Sequence, residues 1–253
     1  MADATEIASW VSVIKPVSHA KARLFCLPYA GGGSRIFRTL PYGLPETVEV
    51  CSINLPGREG RMKEPPFTRL SPLVEVIAEA LGPYLNKPFA LFGHSMGAVL
   101  SFELARRLRG DHGLEPQRLF VSGRRAPQIP EKNSSTYDLP APEFVDMLRR
   151  LNGTPKEALE NPELLQLVIP LLRADFELVQ TYEYKEEAPL ACPITAFGGL
   201  KDVEVSREDL LAWRSQTTGR FYLAMFPGDH FFLHTDQPLI AHVITRDLRR
   251  FIN

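Results

Sequence analysis

The 253-residue chain is 44% hydrophobic and 23% charged, ordinary values for a globular protein, and its 29 Lys and Arg against 30 Asp and Glu leave a formal net charge of −1. That length allows one domain spanning 1–253 with a sizeable core, and the even charge balance gives no footprint for nucleic acid or for an anionic membrane surface. No run of about 18 apolar residues occurs, so no transmembrane helix is expected, and the acidic opening Met1-Ala-Asp-Ala-Thr-Glu6 lacks the basic-then-apolar order of a secretory signal.

In chain order the pattern is strand, strand, helix, strand, helix, strand. Short and almost wholly apolar runs predict strands at Arg23–Leu27 and Val48–Asn54, at Phe89–Phe92 and at Arg118–Ser122. Helical periodicity falls on Ser71–Tyr84 and Met96–Arg109. Residues 127–187 then break the rhythm. They hold no good strand, but helical stretches at Glu143–Leu151 and at Asn161–Tyr182, the latter with Asn161 as N-cap, Pro162 at its first position and Pro170 expected to kink or divide it. Asn133-Ser-Ser-Thr136 is expected to form a mobile loop at the base of this segment. The segment reads as a helical lid rather than a pair of crossover helices, because it follows a strand and is too long for a simple crossover. The alternation then resumes with a strand at Ile194–Phe197, a helix at Ser206–Gln216, a strand at Phe221–Phe226 and a helix at Pro238–Ile252. The expected fold is therefore α/β: a mostly parallel sheet flanked by helices, with a lid inserted at 127–187.

Cys26, Cys51 and Cys192 are odd in number and each lies in or beside an apolar run. They read as reduced, buried thiols of a cytoplasmic protein. The alternative, a catalytic thiol, has far weaker local support than a serine at position 95. Residues 93–97 read Gly-His-Ser-Met-Gly, between the strand Phe89–Phe92 and the helix Met96–Arg109. That strand–turn–helix setting is what the G-x-S-x-G nucleophile elbow of an α/β-hydrolase requires. The sharp turn lifts the Ser95 hydroxyl above the sheet, and the following helix N-terminus aims N–H groups at a developing anion.

A serine needs a general base, and the base needs an orienting acid; in this fold the chain order is Ser, acid, His. His230, in Pro227-Gly-Asp-His230 after the last predicted strand, is the expected base, and Asp202, in Gly198-Gly-Leu-Lys-Asp202 after the strand Ile194–Phe197, the expected acid. Glu208 and Asp209 are expected to face solvent, Asp175 to lie in the lid, and Asp229 to point elsewhere. His234 is read as structural. Its H-x-x-x-H spacing with His230 could suggest zinc, but Phe-Phe-Leu intervenes with no glutamate, so no metal is expected. His242 falls within the last helix as a surface or packing residue. The oxyanion donors are expected to be the backbone N–H of Met96 and that of Ala30, in the glycine-rich Pro28-Tyr-Ala-Gly-Gly-Gly-Ser34, which fits neither phosphate-loop pattern. No cofactor is expected.

Pro28-Tyr-Ala-Gly-Gly, Leu55-Pro-Gly-Arg58, Phe92-Gly-His-Ser-Met-Gly97, Gly153-Thr-Pro155, Leu172-Arg-Ala-Asp-Phe176 and Gly228-Asp-His-Phe-Phe-Leu233 stand in an order that resembles the type II thioesterases, the stand-alone editing enzymes of polyketide and nonribosomal peptide synthesis. The likeness spans roughly residues 23–235, looser around 124–139. It implies hydrolysis of acyl thioesters on the phosphopantetheine arm of carrier proteins, and removal of aberrant acyl groups from stalled synthases. It places the family's triad on Ser95, Asp202 and His230 and its oxyanion donors on Ala30 and Met96. The partner so implied is an acidic carrier protein; the chain itself is expected to be a monomer. Arg58, Arg61, Lys63, Arg124 and Arg125 follow strands and are expected either to meet that carrier on the active rim or to form a plain solvated surface. Two other readings remain: a general carboxylesterase or lipase on the same scaffold, and a non-catalytic acyl-binding protein that kept the fold.

Overall fold

The computed structural model describes residues 10–130 and 135–252. The acidic opening segment and residues 133–134 of the expected loop lie outside them. Among the described residues a seven-stranded sheet runs in the order β1-β3-β2-β4-β5-β6-β7. Its strands are β1 (Val11–Val13), β2 (Ala22–Leu27), β3 (Val48–Ile53), β4 (Phe89–His94), β5 (Arg118–Ser122), β6 (Ile194–Gly199) and β7 (Phe221–Phe226). Every pairing is parallel except that of the edge strand β1 with β3.

The apolar runs are strands because both faces are covered, so β3 to β6 are buried at every position. Alternate residues serve opposite cores. On one face Phe25, Leu91 and Val121 pack with the helices α1 (Leu70–Leu81) and α2 (Met96–His112). On the other, Leu24, Phe92, Phe120 and Phe197 pack against Ile240, Ile244 and Leu248 of the C-terminal helix Gln237–Ile252. α1 buries Leu70, Leu73, Val74, Ile77 and Leu81, the 3–4 spacing of one helical face. It yields to a 3₁₀ turn at Gly82–Tyr84, which holds Pro83.

Between β5 and β6 the chain forms α3 (Ala141–Leu151), α4 (Lys156–Glu160) and α5 (Pro162–Gln180). The Asn161 side chain caps α5 by accepting from the N–H groups of Glu163 and Leu164. Pro170 does not divide this 19-residue helix; it sits on the exposed side, where water can satisfy the carbonyl it frees. The segment has its own small core of Phe144, Met147, Leu148, Leu159 and Leu172, separate from the two sheet cores. The predicted helix at Ser206–Gln216 is instead α6 (Arg207–Leu211) followed by a 3₁₀ stretch, Ala212–Gln216. α7 (Phe232–Thr235) and α8 (Gln237–Ile252) close the chain.

Candidate active site

β4 is the central strand, and its C-terminal end delivers the chain into Ser95 at φ 52°, ψ −111°, a conformation that L-residues avoid. The flanking glycines allow the turn. A Cβ on Gly93 would lie 1.9 Å from the Gly97 carbonyl oxygen, and one on Gly97 would lie 2.1 Å from that of Leu27. The Ser95 N–H is held by the Ser122 carbonyl at 2.7 Å. Met96 begins α2, so its N–H has no carbonyl one turn back within the helix to donate to.

The loops after β6 and β7 are laced together: Leu200 N–H donates to the Phe226 carbonyl (2.7 Å) and Lys201 N–H to that of Gly228 (3.0 Å). This brings Asp202 to His230, with Oδ2 and Nδ1 2.8 Å apart. Asp202 Oδ1 accepts the N–H groups of Glu204 (2.8 Å) and Val205 (3.1 Å). The carboxylate, with 0% side-chain exposure, is thus fixed through both oxygens, while the His230 side chain keeps 14% exposure. With Nδ1 directed at the acid, Nε2 is the ring nitrogen left for chemistry.

Ser95, His230, Ala30 and Met96 all line one cavity of about 680 Å³. The inserted segment contributes apolar side chains to its lining, Met147, Leu148, Leu172, Phe176 and Val179 among them. Such a chamber pairs a reactive polar end with apolar space.

A ring of aromatic groups surrounds the base. His94 is fully buried, its Nδ1 2.8 Å from Ser122 Oγ and its ring centroid 5.3 Å from that of His230. Burial, then the nearness of His230 and His234, holds its pKa well below the usual histidine value. His234 Nε2 lies 2.9 Å from the Tyr29 hydroxyl. Among the described residues no group of three or more His, Cys, Asp or Glu side chains is arranged to hold a metal.

Two sets of expectations are corrected. Asp209 does not face solvent: it is 5% exposed and forms a capping box with Ser206 at the start of α6. Asp229 does point elsewhere, to the Phe231 N–H, and Glu208 is exposed. Arg58 and Arg61, 7% and 9% exposed, are neither a docking rim nor a solvated surface. Arg58 forks onto Asp175, whereas Arg61 binds Glu64 and the Asn54 carbonyl and stacks over Trp10 at 3.9 Å. Arg125 is buried too, bonded to the Pro130 carbonyl, and Arg124 lines the cavity; Lys63 alone of the five is exposed. The sequence offered a signal for Arg58 and Asp175, since both stand in the motifs that carry the family resemblance, but spacing could not pair residues 117 apart.

Residues 22–248 match the thioesterase domain family. The gramicidin S biosynthesis protein GrsT of Aneurinibacillus migulanus is 46% identical over 245 residues, 97% of this chain and 96% of that protein. Among solved structures, the thioesterase RedJ from the prodiginine biosynthetic pathway of Streptomyces coelicolor is similar at a TM-score of 0.87 and 36% identity, over 92% of each chain. YbtT, a type II thioesterase from the yersiniabactin NRPS/PKS pathway, is similar at a TM-score of 0.88 and 29% identity, over 96% of this chain and 100% of that one.

Proposed function

The chain belongs to the thioesterase family, and on that premise we propose that Ser95, Asp202 and His230 hydrolyse acyl thioesters by two-step acyl transfer. The observation that carries this reading is the oriented Asp202–His230 pair opening on the same cavity as a serine at a strained strand-to-helix turn. His230 Nε2 takes the Ser95 proton, Ser95 Oγ attacks the thioester carbonyl, and His230 returns the proton to the departing thiolate. Water, deprotonated by the same nitrogen, then attacks the acyl-enzyme, and His230 returns that proton to the departing Ser95 Oγ as the acid is released. Asp202 keeps the imidazole in one tautomer and stabilises its charged form. The N–H groups of Ala30 and Met96 hold the oxyanion of each tetrahedral intermediate.

The substrate we assign is an acyl group on the phosphopantetheine arm of a synthase carrier protein, and the role is editing: clearing aberrant acyl groups from stalled polyketide or nonribosomal peptide synthases. Relatives named for gramicidin S, prodiginine and yersiniabactin pathways favour it. Residues 127–187 act as a lid over the acyl chamber, a role supported by their separate core and by the residues they give to its lining, Met147, Leu172 and Phe176 among them. One copy of the chain supplies every proposed site residue, so the reading needs only a monomer. Three free, buried thiols suit the cytoplasm, and among the described residues no helix is long and apolar enough to cross a membrane.

The test is release of acyl groups from an acyl-phosphopantetheinyl carrier protein by wild type and Ser95→Ala, beside a p-nitrophenyl ester. Wild type should release the acyl group faster than it cleaves the ester, and Ser95→Ala should lose roughly three or more decades of turnover. An undiminished Ser95→Ala rate removes Ser95 from the chemistry; good ester turnover with no thioester turnover favours a general esterase.

A further inference from the structure

Three sequences that mark the family resemblance take no part in this mechanism: Leu55-Pro-Gly-Arg58, Gly153-Thr-Pro155 and Leu172-Arg-Ala-Asp-Phe176. The fold brings all three to the loops that carry the chemistry. Arg58 Nη1 and Nη2 donate to Asp175 Oδ2 and Oδ1, each at 2.8 Å, a two-pronged pair buried between the loop after β3 and helix α5. Asp175 Oδ2 also accepts the Gly31 N–H at 2.7 Å, and Arg58 Nη1 also donates to the Gly32 carbonyl at 3.2 Å. Arg58 is itself steadied by a bond from Nε to the Pro56 carbonyl. Gly31 has φ +77°, and a Cβ there would fall 2.6 Å from Leu172 Cδ2. Gly153 meanwhile lies against the ring of Phe231, next to the proposed base.

The Ala30–Gly31 peptide is a rigid plane, so whatever holds the Gly31 N–H sets the direction of that plane. The Ala30 N–H lies one φ/ψ pair away and follows it. The Gly31 N–H, spent on Asp175, is denied to the oxyanion, which leaves the Ala30 N–H as this loop's donor. We infer that Arg58 and Asp175 are positioning residues that aim the Ala30 N–H at the oxyanion, and that they tie this aim to helix α5, so that the place of the inserted helices and the geometry of the oxyanion hole form one arrangement. The inference rests on the hydrolase reading above. A buried pair of this kind contributes little net stability compared with apolar residues of the same size. Its use here lies in the third and fourth hydrogen bonds, to Gly31 and Gly32, which an apolar pair would not make.

The experiment separates stability from turnover. Asp175→Asn and Arg58→Met each leave a buried group without its partner, and both should lower Tm and kcat. The double replacement Arg58→Met with Asp175→Leu removes both charges together; Tm should return toward that of wild type while kcat stays about ten- to hundredfold down with KM little changed, because the Gly31 N–H has lost its acceptor. Arg58→Lys, which keeps the charge but not the fork, serves if the double variant does not fold: kcat should fall by severalfold at a Tm close to wild type. A folded double variant, or in its absence a folded Arg58→Lys, with kcat within about twofold of wild type overturns the inference, as does a loss confined to KM. A wild type that releases no acyl group from any thioester instead overturns the hydrolase reading, and this inference falls with it.

Discussion

His94 shows how one position in the elbow acts through its surroundings. It lies beneath the proposed base, tied to Ser122 and walled by Tyr29, Phe231 and Phe232. Because burial and two neighbouring histidines depress its pKa, the folded protein refuses a proton that the unfolded chain accepts below about pH 6.5. Its contribution to stability is therefore present at neutral pH and declines on acidification through 6.5, by at most about 1.4 kcal/mol per pH unit for one proton. His94→Gln should flatten that decline, measured by urea unfolding at pH 7.5, 6.5 and 5.5. An acid loss equal to that of wild type would show that His94 is not its source. At this scale the sequence spoke clearly where the cause is local: Gly93, Ser95 and Gly97 follow from the turn itself, and Asp202 and His230 from strand ends in a known chain order. It misjudged Asp209, expected in solvent, because its burial depends on what packs over α6, and it could not pair Arg58 with Asp175, which meet only in the folded chain.

Strands and helices were legible to within a few residues because both-face burial leaves an unbroken apolar run and one-face burial leaves a 3–4 spacing. β1, α4 and α7 were not, since three to five residues carry no periodicity, and β1 moreover pairs antiparallel at the sheet edge. The junction of α6 with its 3₁₀ continuation was hidden for a related reason: both conformations present similar apolar spacing over a few residues. The inserted helices were legible as helices, but not their grip on the site. Gly153 illustrates that grip, for a Cβ there would lie 2.1 Å from Phe231 Cζ. Gly153→Ala must move either the turn between α3 and α4 or the residue beside His230. We expect kcat/KM to fall about tenfold or more, and Phe231→Leu, which shortens the opposing ring, to recover part of the loss in the double variant. Purely additive losses in steady-state kinetics would mean that the two side chains do not oppose each other.

Across the whole molecule the alternation of strand and helix announced the α/β class, and the two-faced core explains why. The cysteines sample that core: Cys26 and Cys51 serve opposite faces of the sheet, and Cys192 leads into β6. Burial raises all three thiols, with Cys51 and Cys192 pushed up to about 12 and Cys26 well above the ordinary value. Their burial works against thiolate chemistry, and none of the three lines the cavity that holds Ser95 and His230, so both observations weigh against the catalytic-thiol alternative. Pulsed iodoacetamide labelling across a urea series, read by mass spectrometry, should show three alkyl groups arriving together at the global transition. One thiol reacting well before the others would mean that its part of the sheet opens separately. The turn at Ser95 sets a limit on what such cooperativity can achieve. Its left-handed backbone holds on the order of 1–3 kcal/mol of strain that the rest of the sheet must offset whether or not a substrate is present. On the proposed reading robustness and turnover are opposed at a single residue at the end of the central strand: a glycine would rest in that conformation at ease, whereas the proposed reaction needs the serine hydroxyl there.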